Sequence, residues 1–204
     1  VAGYIPAMEE RPSLAPTEGL LAVVRGLRAA GHEAWAVGGA VRDRLLGEPP
    51  GDWDVATDAL PERVREIFPR THPVGIEHGT VGVLESGETI EVTTFRADVA
   101  TDGRHAQVRF GVSLDEDLAR RDFTVNAIAF HPLRGEWKDP FGGAEDLGRR
   151  RLRAVGDPAA RFREDYLRVL RALRFAARLD FIIDPPTWEA ACAAAGGLGQ
   201  LSAE

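Results

Sequence analysis

With 204 residues, 44% of them hydrophobic and 28% charged, the chain holds enough apolar material for one sizeable core or two small ones, a composition that excludes disorder as its main state. The single cysteine, Cys192, excludes an internal disulfide and a thiolate cluster, and neither a run of about 18 apolar residues nor a charged-then-apolar leader is present, so the expected setting is the cytoplasm, with no membrane partner. The net charge of −7 argues against a generic nucleic-acid coat, yet residues 149–178 hold ten arginines against three acids (Asp157, Glu164, Asp165), so positive charge gathers near the C-terminal end.

Residues 1–16 carry Pro6, Pro12 and Pro16 without periodicity and read as a loose leader. Leu20, Leu21, Val23, Val24 and Leu27 recur at helical spacing up to Gly31, which predicts a first helix closed by glycine. Ala34-Trp35-Ala36-Val37 predicts a short buried strand that runs through Gly38-Gly39 into a short helix ending at Gly47. After the Pro49-Pro50-Gly51 turn, Asp52-Trp53-Asp54-Val55-Ala56-Thr57 reads as a strand whose alternation puts Asp52 and Asp54 on one face. A helix opens at Leu60-Pro61, with Asp58 as its possible cap, and strands are predicted at residues 80–84, 89–95 and 108–110, Gly87 turning between the first two.

From Asp115 the pattern is helical through Phe130, although its β-branched later half fits a strand as well. Pro140 and Gly142-Gly143 mark a break. Asp157-Pro158, an N-cap followed by a first-turn proline, opens a long helix predicted to reach about Arg178, and a second helical stretch covers residues 186–195. In the long helix Tyr166, Val169, Leu170, Leu173, Ala176 and Ala177 form a predicted buried stripe, and Arg168, Arg171 and Arg174 a row on the opposite side.

Two-metal nucleotidyl transfer needs carboxylates converging on a pair of Mg²⁺ ions that activate a hydroxyl and neutralise a leaving pyrophosphate. Asp52 and Asp54 are the candidates. Alone, an Asp-x-Asp pair is more often two solvated carboxylates; here it follows a strand, a Gly-Gly turn and a helix start, where backbone N–H groups can approach a triphosphate. Glu91 lies mid-strand between Ile90 and Val92, so its side chain points away from theirs and can face Asp52 and Asp54. The five histidines, His32, His72, His78, His105 and His131, show no metal-binding spacing.

Val37-Gly38-Gly39-Ala40-Val41-Arg42-Asp43 and Gly51-Asp52-Trp53-Asp54-Val55-Ala56-Thr57 together resemble the polymerase-beta-type nucleotidyltransferase superfamily and, within it, the class II bacterial tRNA nucleotidyltransferase and poly(A) polymerase family. Glu91-Val92-Thr93-Thr94-Phe95-Arg96 resembles that family's third-carboxylate strand, Arg120-Arg121-Asp122-Phe123-Thr124-Val125-Asn126 its nucleotide-holding motif, and Glu164-Asp165-Tyr166-Leu167-Arg168 its base-selecting motif. These matches occur in family order from about residue 34 to residue 185. The resemblance implies that Asp52, Asp54 and Glu91 are catalytic, with Asp52 and Asp54 holding metal, and that Gly38, Gly39, Arg42 and Arg121 serve the triphosphate. Asp122, Thr124 and Asn126 would position the ribose or their own loop. Asp165 would accept from the exocyclic amine of cytosine or adenine while Arg168 donates to ring or carbonyl acceptors, with Arg171 and Arg174 supporting base or triphosphate.

The expected fold is therefore α+β: a mixed-sheet, polymerase-beta-like head over residues 1–150, then an all-helical neck over 151–204 that the resemblance implies is incomplete. The Asp139-Pro140-Phe141-Gly142-Gly143 junction reads as a hinge or a plain interdomain turn. The expected activity is untemplated addition of C, A or both to a tRNA 3′ end, using Mg²⁺ and CTP or ATP. Residues 97–107 resemble the family loop that influences whether A follows C, in a shortened form that leaves full CCA addition open. A poly(A) polymerase and a non-catalytic nucleotide- or RNA-binding module are the alternatives; a dinucleotide oxidoreductase would rest on Gly38-Gly39 alone.

Overall fold

The computed structural model describes residues 14–49, 51–101 and 106–200; most of the leader, with Pro6 and Pro12, and the loop residues Asp102-Gly103-Arg104-His105 lie outside the described residues. Helix α1 (Glu18–Ala29) starts where the Thr17 hydroxyl accepts from the Leu20 N–H at 3.3 Å, and it buries Leu20, Val23, Val24 and Leu27. The fully buried strand β1 (Ala34–Val37) leads through Gly38 into α2 (Gly39–Leu45), and β2 (Asp54–Thr57) and α3 (Pro61–Ile67) follow. Strands β3 (Thr71–Gly75), β4 (Thr80–Glu85) and β5 (Glu88–Thr94) form a meander, and β6 (Arg96–Thr101) with β7 (Ala106–Phe110) makes a separate hairpin. After α4 (Leu114–Ala119) and a 3-10 turn at Thr124–Asn126 come β8 (Ala129–His131), β9 (Glu136–Lys138) and α5 (Gly143–Gly148). The chain continues as β10 (Arg151–Leu152), α6 (Pro158–Glu164), α7 (Leu167–Leu179), β11 (Ile182–Ile183) and α8 (Pro185–Ala194).

Among the described residues seven strands form one mixed sheet, ordered β3-β4-β5-β2-β1-β8-β9. Every neighbouring pair is antiparallel except the central β2–β5 pair, which is parallel. Both faces of the middle strands are covered, which is why β1 is an unbroken apolar run: Ala34 and Ala36 join the larger core, Trp35 and Val37 a second core on the other face. The larger core runs on into Phe162, Val169, Phe175 and Ala191 of the C-terminal helices. The C-terminal part is therefore not all-helical as expected: β10, ahead of these helices, pairs in parallel with β11, between α7 and α8. No helix among the described residues is long and apolar enough to cross a membrane.

Several local expectations are corrected. Asp52 is not in a strand: the β1–β2 pairing stops at Val37 and Asp54, where Gly38 turns the first strand away, and Asp52 sits on an exposed bend. Leu60, not Asp58, is the N-cap of α3; Asp58 instead accepts the Glu33 N–H at 2.8 Å. The segment after Asp115 is helical only to Ala119, and its β-branched end becomes a 3-10 turn and β8, a case of sheet pairing deciding between two balanced propensities.

The long helix expected after Pro158 breaks at Asp165, whose backbone is extended. Its second half, α7, faces inward with Arg168, Val169, Ala172 and Phe175, while Leu170 and Leu173 are exposed; the inner wall of this helix borders a charged cleft, so the usual apolar-inside rule is partly inverted.

The Asp139–Gly143 junction is a packed helix start and not a hinge. The Asp139 carboxylate accepts the N–H groups of Gly143 at 2.7 Å and Ala144 at 3.0 Å, and a Cβ at Gly143 would overlap the Thr124 carbonyl oxygen. A buried backbone clash of this kind has no flexible partner to yield. Gly143→Ala is expected to cost about 3 kcal/mol or more, a fall of roughly 6–12 °C in Tm. A Tm within a degree or two of the parent would show that the junction gives way easily and restore the hinge.

Candidate active site

The parallel register of β2 and β5 pairs Asp54 with Glu91. Neighbouring residues on paired strands share a face, so the two carboxylates stand side by side, and both line a cleft of about 560 Å³ between the sheet and α7. Burial pushes the Asp54 carboxyl up to about 6; Arg121 pulls it down, while Glu91 and Asp52 add to the rise. Asp52 thus reaches Asp54 through its charge from the bend, although it does not line the cleft.

Among the described residues no three His, Cys, Asp or Glu side chains stand close enough to hold a metal ion by themselves. The side-by-side carboxylates of Asp54 and Glu91 suit a hard divalent cation, which is commonly held by one or two carboxylates and completes its shell with water and substrate oxygens. The burial that raises Asp54, with the smaller push from Glu91 and Asp52, is what such a cation would offset. The residues present fit the ion.

Gly38 turns the chain at φ +76°, a conformation that favours glycine. A Cβ there would stand 3.1 Å from Asp54 Oδ2 and 3.4 Å from Arg121 Nη1, so the missing side chain lets a carboxylate and a guanidinium close on the backbone. Gly38→Ala is expected to leave the fold standing and to lower the kcat of the reaction run in this cleft by about 10–100-fold through displacement of Asp54. Unchanged kcat in a folded variant would remove Asp54 from the reaction centre.

Several of the remaining predicted residues are joined in one network. Arg42 is buried; it is paired with Asp43 at 2.6 Å and donates from Nη1 to Asn126 Oδ1 at 2.6 Å. Asn126 Nδ2 donates to Asp122 Oδ1 at 2.9 Å, and Arg171 donates to Asp122 Oδ2 from Nε at 2.8 Å. The chain Arg42–Asn126–Asp122–Arg171 therefore ties α2, the 3-10 turn and α7 together. Arg121 is paired with Asp117 at 3.2 Å and donates to the Asn126 carbonyl at 3.3 Å. Its buried Nε has no hydrogen-bond partner among the described residues. The Asp117 pair is buried: Asp117 is 1% exposed, and although burial would raise its carboxyl, Arg121 and Arg120 hold it below the usual range. Thr124 lies away from the cleft lining and donates to the buried Asp146 at 2.6 Å.

At the helix break, Asp165 Oδ1 accepts the Leu167 N–H at 2.9 Å. Arg168 is buried, donating to Glu164 at 2.6 Å and to the carbonyls of Arg161 and Arg120 at 3.1 Å each, which fixes the plane of its guanidinium. Arg171, Arg174 and Arg178 continue along the cleft wall, and Arg178 reaches Asp43 at 3.4 Å. In all, eight arginines and four carboxylates line this cleft of an acidic chain, an excess of cation suited to a polyphosphate. Asp43, Asp117 as a buried anchor and Phe175 were missed by motif reading; the spacing of Asp117 from Arg120 and Arg121 was the available signal.

Residues 34–153 match the family described as the poly(A) polymerase head domain. A CCA-adding enzyme of Anoxybacillus flavithermus is 55% identical over 172 residues, 83% of this chain and 43% of that protein. The crystal structure of the Bacillus stearothermophilus CCA-adding enzyme in complex with CTP is 48% identical, with a TM-score of 0.85 over 92% of this chain and 46% of that one. A tRNA nucleotidyltransferase solved with a primer tRNA and an incoming ATP analogue is 34% identical, with a TM-score of 0.71 over 86% of this chain and 51% of its own. The chain spans about half the length of the curated relatives it matches.

Proposed function

The chain belongs to the poly(A) polymerase head-domain family, and on that premise we propose that it is a nucleotidyltransferase that adds C, A or both to the 3′ end of a tRNA without a nucleic-acid template. The observation that carries this reading is the pairing of Asp54 with Glu91 on parallel strands beneath a wall of arginines. CTP and ATP are the proposed donors and a tRNA 3′ end the acceptor, in line with the CTP and tRNA complexes of similar enzymes. The proposed working place is the cytoplasm, and the proposed division into head and neck falls near residue 150, where β10 leaves the main sheet to pair with β11.

In this reading Asp54 and Glu91, with Asp52 contributing from the bend, hold divalent cations, proposed to be Mg²⁺. When bound, such ions activate the attacking hydroxyl and neutralise the leaving pyrophosphate. The RNA 3′-hydroxyl attacks the α-phosphate in line, and pyrophosphate departs. Arg42 and Arg121 grip the triphosphate, each held in place by a partner outside the substrate: Asn126 and Asp43 for the first, Asp117 for the second. Asp122 and Asn126 keep the loop between these arginines and α7 in register. Asp165 and Arg168 replace a template base: the carboxylate accepts from the amine of cytosine or adenine and the fixed guanidinium donates to an acceptor beside it.

The test is stepwise extension of tRNAs lacking their last three, two or one nucleotides, with CTP and ATP supplied separately. Addition of C, then C, then A identifies a CCA-adding enzyme, and a stop after two C residues a CC-adding one. Repeated A addition to any RNA end would make the chain a poly(A) polymerase. No addition by protein that binds CTP would leave a nucleotide-binding module.

A further inference from the structure

Phe175 lies on the inner face of α7, 5% exposed, and still borders the cleft. Its ring packs edge-on against Phe123, with centroids 5.8 Å apart and an interplanar angle of 79°. Three guanidinium groups surround it: those of Arg42 and Arg171 at 5.2 Å from the centroid and that of Arg174 at 5.3 Å. All lie within the range, about 6 Å, in which a ring's quadrupole attracts a cation. Arg42 comes from α2 and the other two from α7, so the ring collects positive charge from both sides of the cleft.

Three like charges around one point repel. Asp43 offsets Arg42 and Asp122 offsets Arg171, whereas Arg174 has no ion pair or hydrogen bond among the described residues and meets only the ring. We propose that Phe175 is a positioning residue that gathers Arg42, Arg171 and Arg174 into a preformed receptor for the triphosphate, an inference that rests on the nucleotide reading of the cleft. The ring holds the cations together before a polyanion arrives, so little side-chain ordering remains to be done on binding.

Equilibrium binding of CTP and of inorganic tripolyphosphate, in Mg²⁺, tests this on the parent chain, Phe175→Leu and Phe175→Tyr. Phe175→Leu is expected to weaken both ligands about tenfold, the equivalent of about 1.4 kcal/mol, and Phe175→Tyr, which keeps the ring, to bind within about threefold of the parent. Should the leucine variant fail to fold, Phe175→Met, unbranched and adaptable, carries the same expectation. In an Arg174→Ala background the loss caused by Phe175→Leu is expected to shrink, because the two changes remove one shared interaction. Parent-like binding by a folded Phe175→Leu or Phe175→Met, equal losses in the tyrosine and leucine variants, or full additivity with Arg174→Ala would each overturn the proposal. A parent chain that binds neither CTP nor tripolyphosphate would overturn the nucleotide reading itself and this inference with it.

Discussion

Asp54→Asn is expected to abolish nucleotide addition, by about 10³-fold or more, and at the same time to make the metal-free protein more stable. The first effect follows from losing a carboxylate of the cation site, where several kcal/mol of charge stabilisation are at stake. The second follows from the sign of the Asp54 shift. Its carboxyl is raised from an ordinary 3.8 to about 6 by burial, with Glu91 and Asp52 adding to the rise, so the folded state binds the proton more tightly than the unfolded one. The stability this group contributes is fully present below about pH 4 and is lost as pH rises through about 6. Above that, an ionised Asp54 works against the metal-free fold by an amount on the order of 1–3 kcal/mol, and asparagine relieves it. Thermal midpoints in EDTA at pH 7.5 should therefore place Asp54→Asn above the parent, the gap should close towards pH 4, and Mg²⁺ should raise the parent while leaving the variant nearly unmoved. An inactive variant that is less stable than the parent at every pH would mean that Asp54 is a structural group, not a cation ligand.

Asp165→Asn is expected to change which bases are admitted without disturbing the helix that carries it. One oxygen, Oδ1, already accepts the Leu167 N–H, a bond that asparagine can keep. The other, Oδ2, has no hydrogen-bond partner among the described residues and is the one left for a base. Converting it to an amide N–H₂ turns an acceptor into a donor, which opposes the amines of cytosine and adenine and suits the carbonyl oxygens of uracil and guanine. A site built around one hydrogen-bond pattern rejects the wrong partner strongly, so kcat/KM for CTP and ATP should fall by about 10²-fold or more while UTP or GTP gains relative to them. An equal, small decline for all four nucleotides would remove Asp165 from base selection. Arg168 is the less informative target, because truncating it removes a buried guanidinium that bonds Glu164 and the carbonyls of Arg120 and Arg161, and a folding defect would mask the effect on selection.

The chemistry of the cleft was more legible in the sequence than its architecture. Gly38, Asp54, Glu91, Arg42, Arg121, Asp165 and Arg168 stood out by residue type and local spacing, and all line one cleft. Alternation along β5 was enough to point Glu91 away from Ile90 and Val92, and the parallel register with β2 then supplied its neighbour. Asp52 shows the limit of the same rule. Alternation holds only while a strand has a partner, and β1 ends opposite Asp54 because Gly38 turns the chain away.

The C-terminal helices were harder to read for a physical reason. The stripe of Leu170 and Leu173 invited the usual inward assignment, but the cleft lies between α7 and the head, so the inward face carries Arg168 and Phe175 and the leucines are exposed. The break at Asp165 has no proline or glycine to announce it. It is held by long-range bonds instead: Arg161 donates to the carbonyls of Ala119 and Arg120, and Arg168 to the latter as well. Bonds between residues some 40 positions apart leave no periodic trace in sequence. The same holds for the gathering of Arg42, Arg171 and Arg174 on Phe175, where the residues are visible one by one and their meeting is not.

The central claim is that this cleft transfers nucleotides and that the protein itself chooses the base. The most direct measurement offers the chain a tRNA lacking its 3′ terminus, Mg²⁺ and one labelled nucleoside triphosphate at a time, with no template present. The account predicts label from CTP, ATP or both covalently joined to the RNA 3′ end, pyrophosphate released in equal amount, and little or none from UTP and GTP. Incorporation of all four at similar rates, or binding of CTP with no transfer at all, would contradict it.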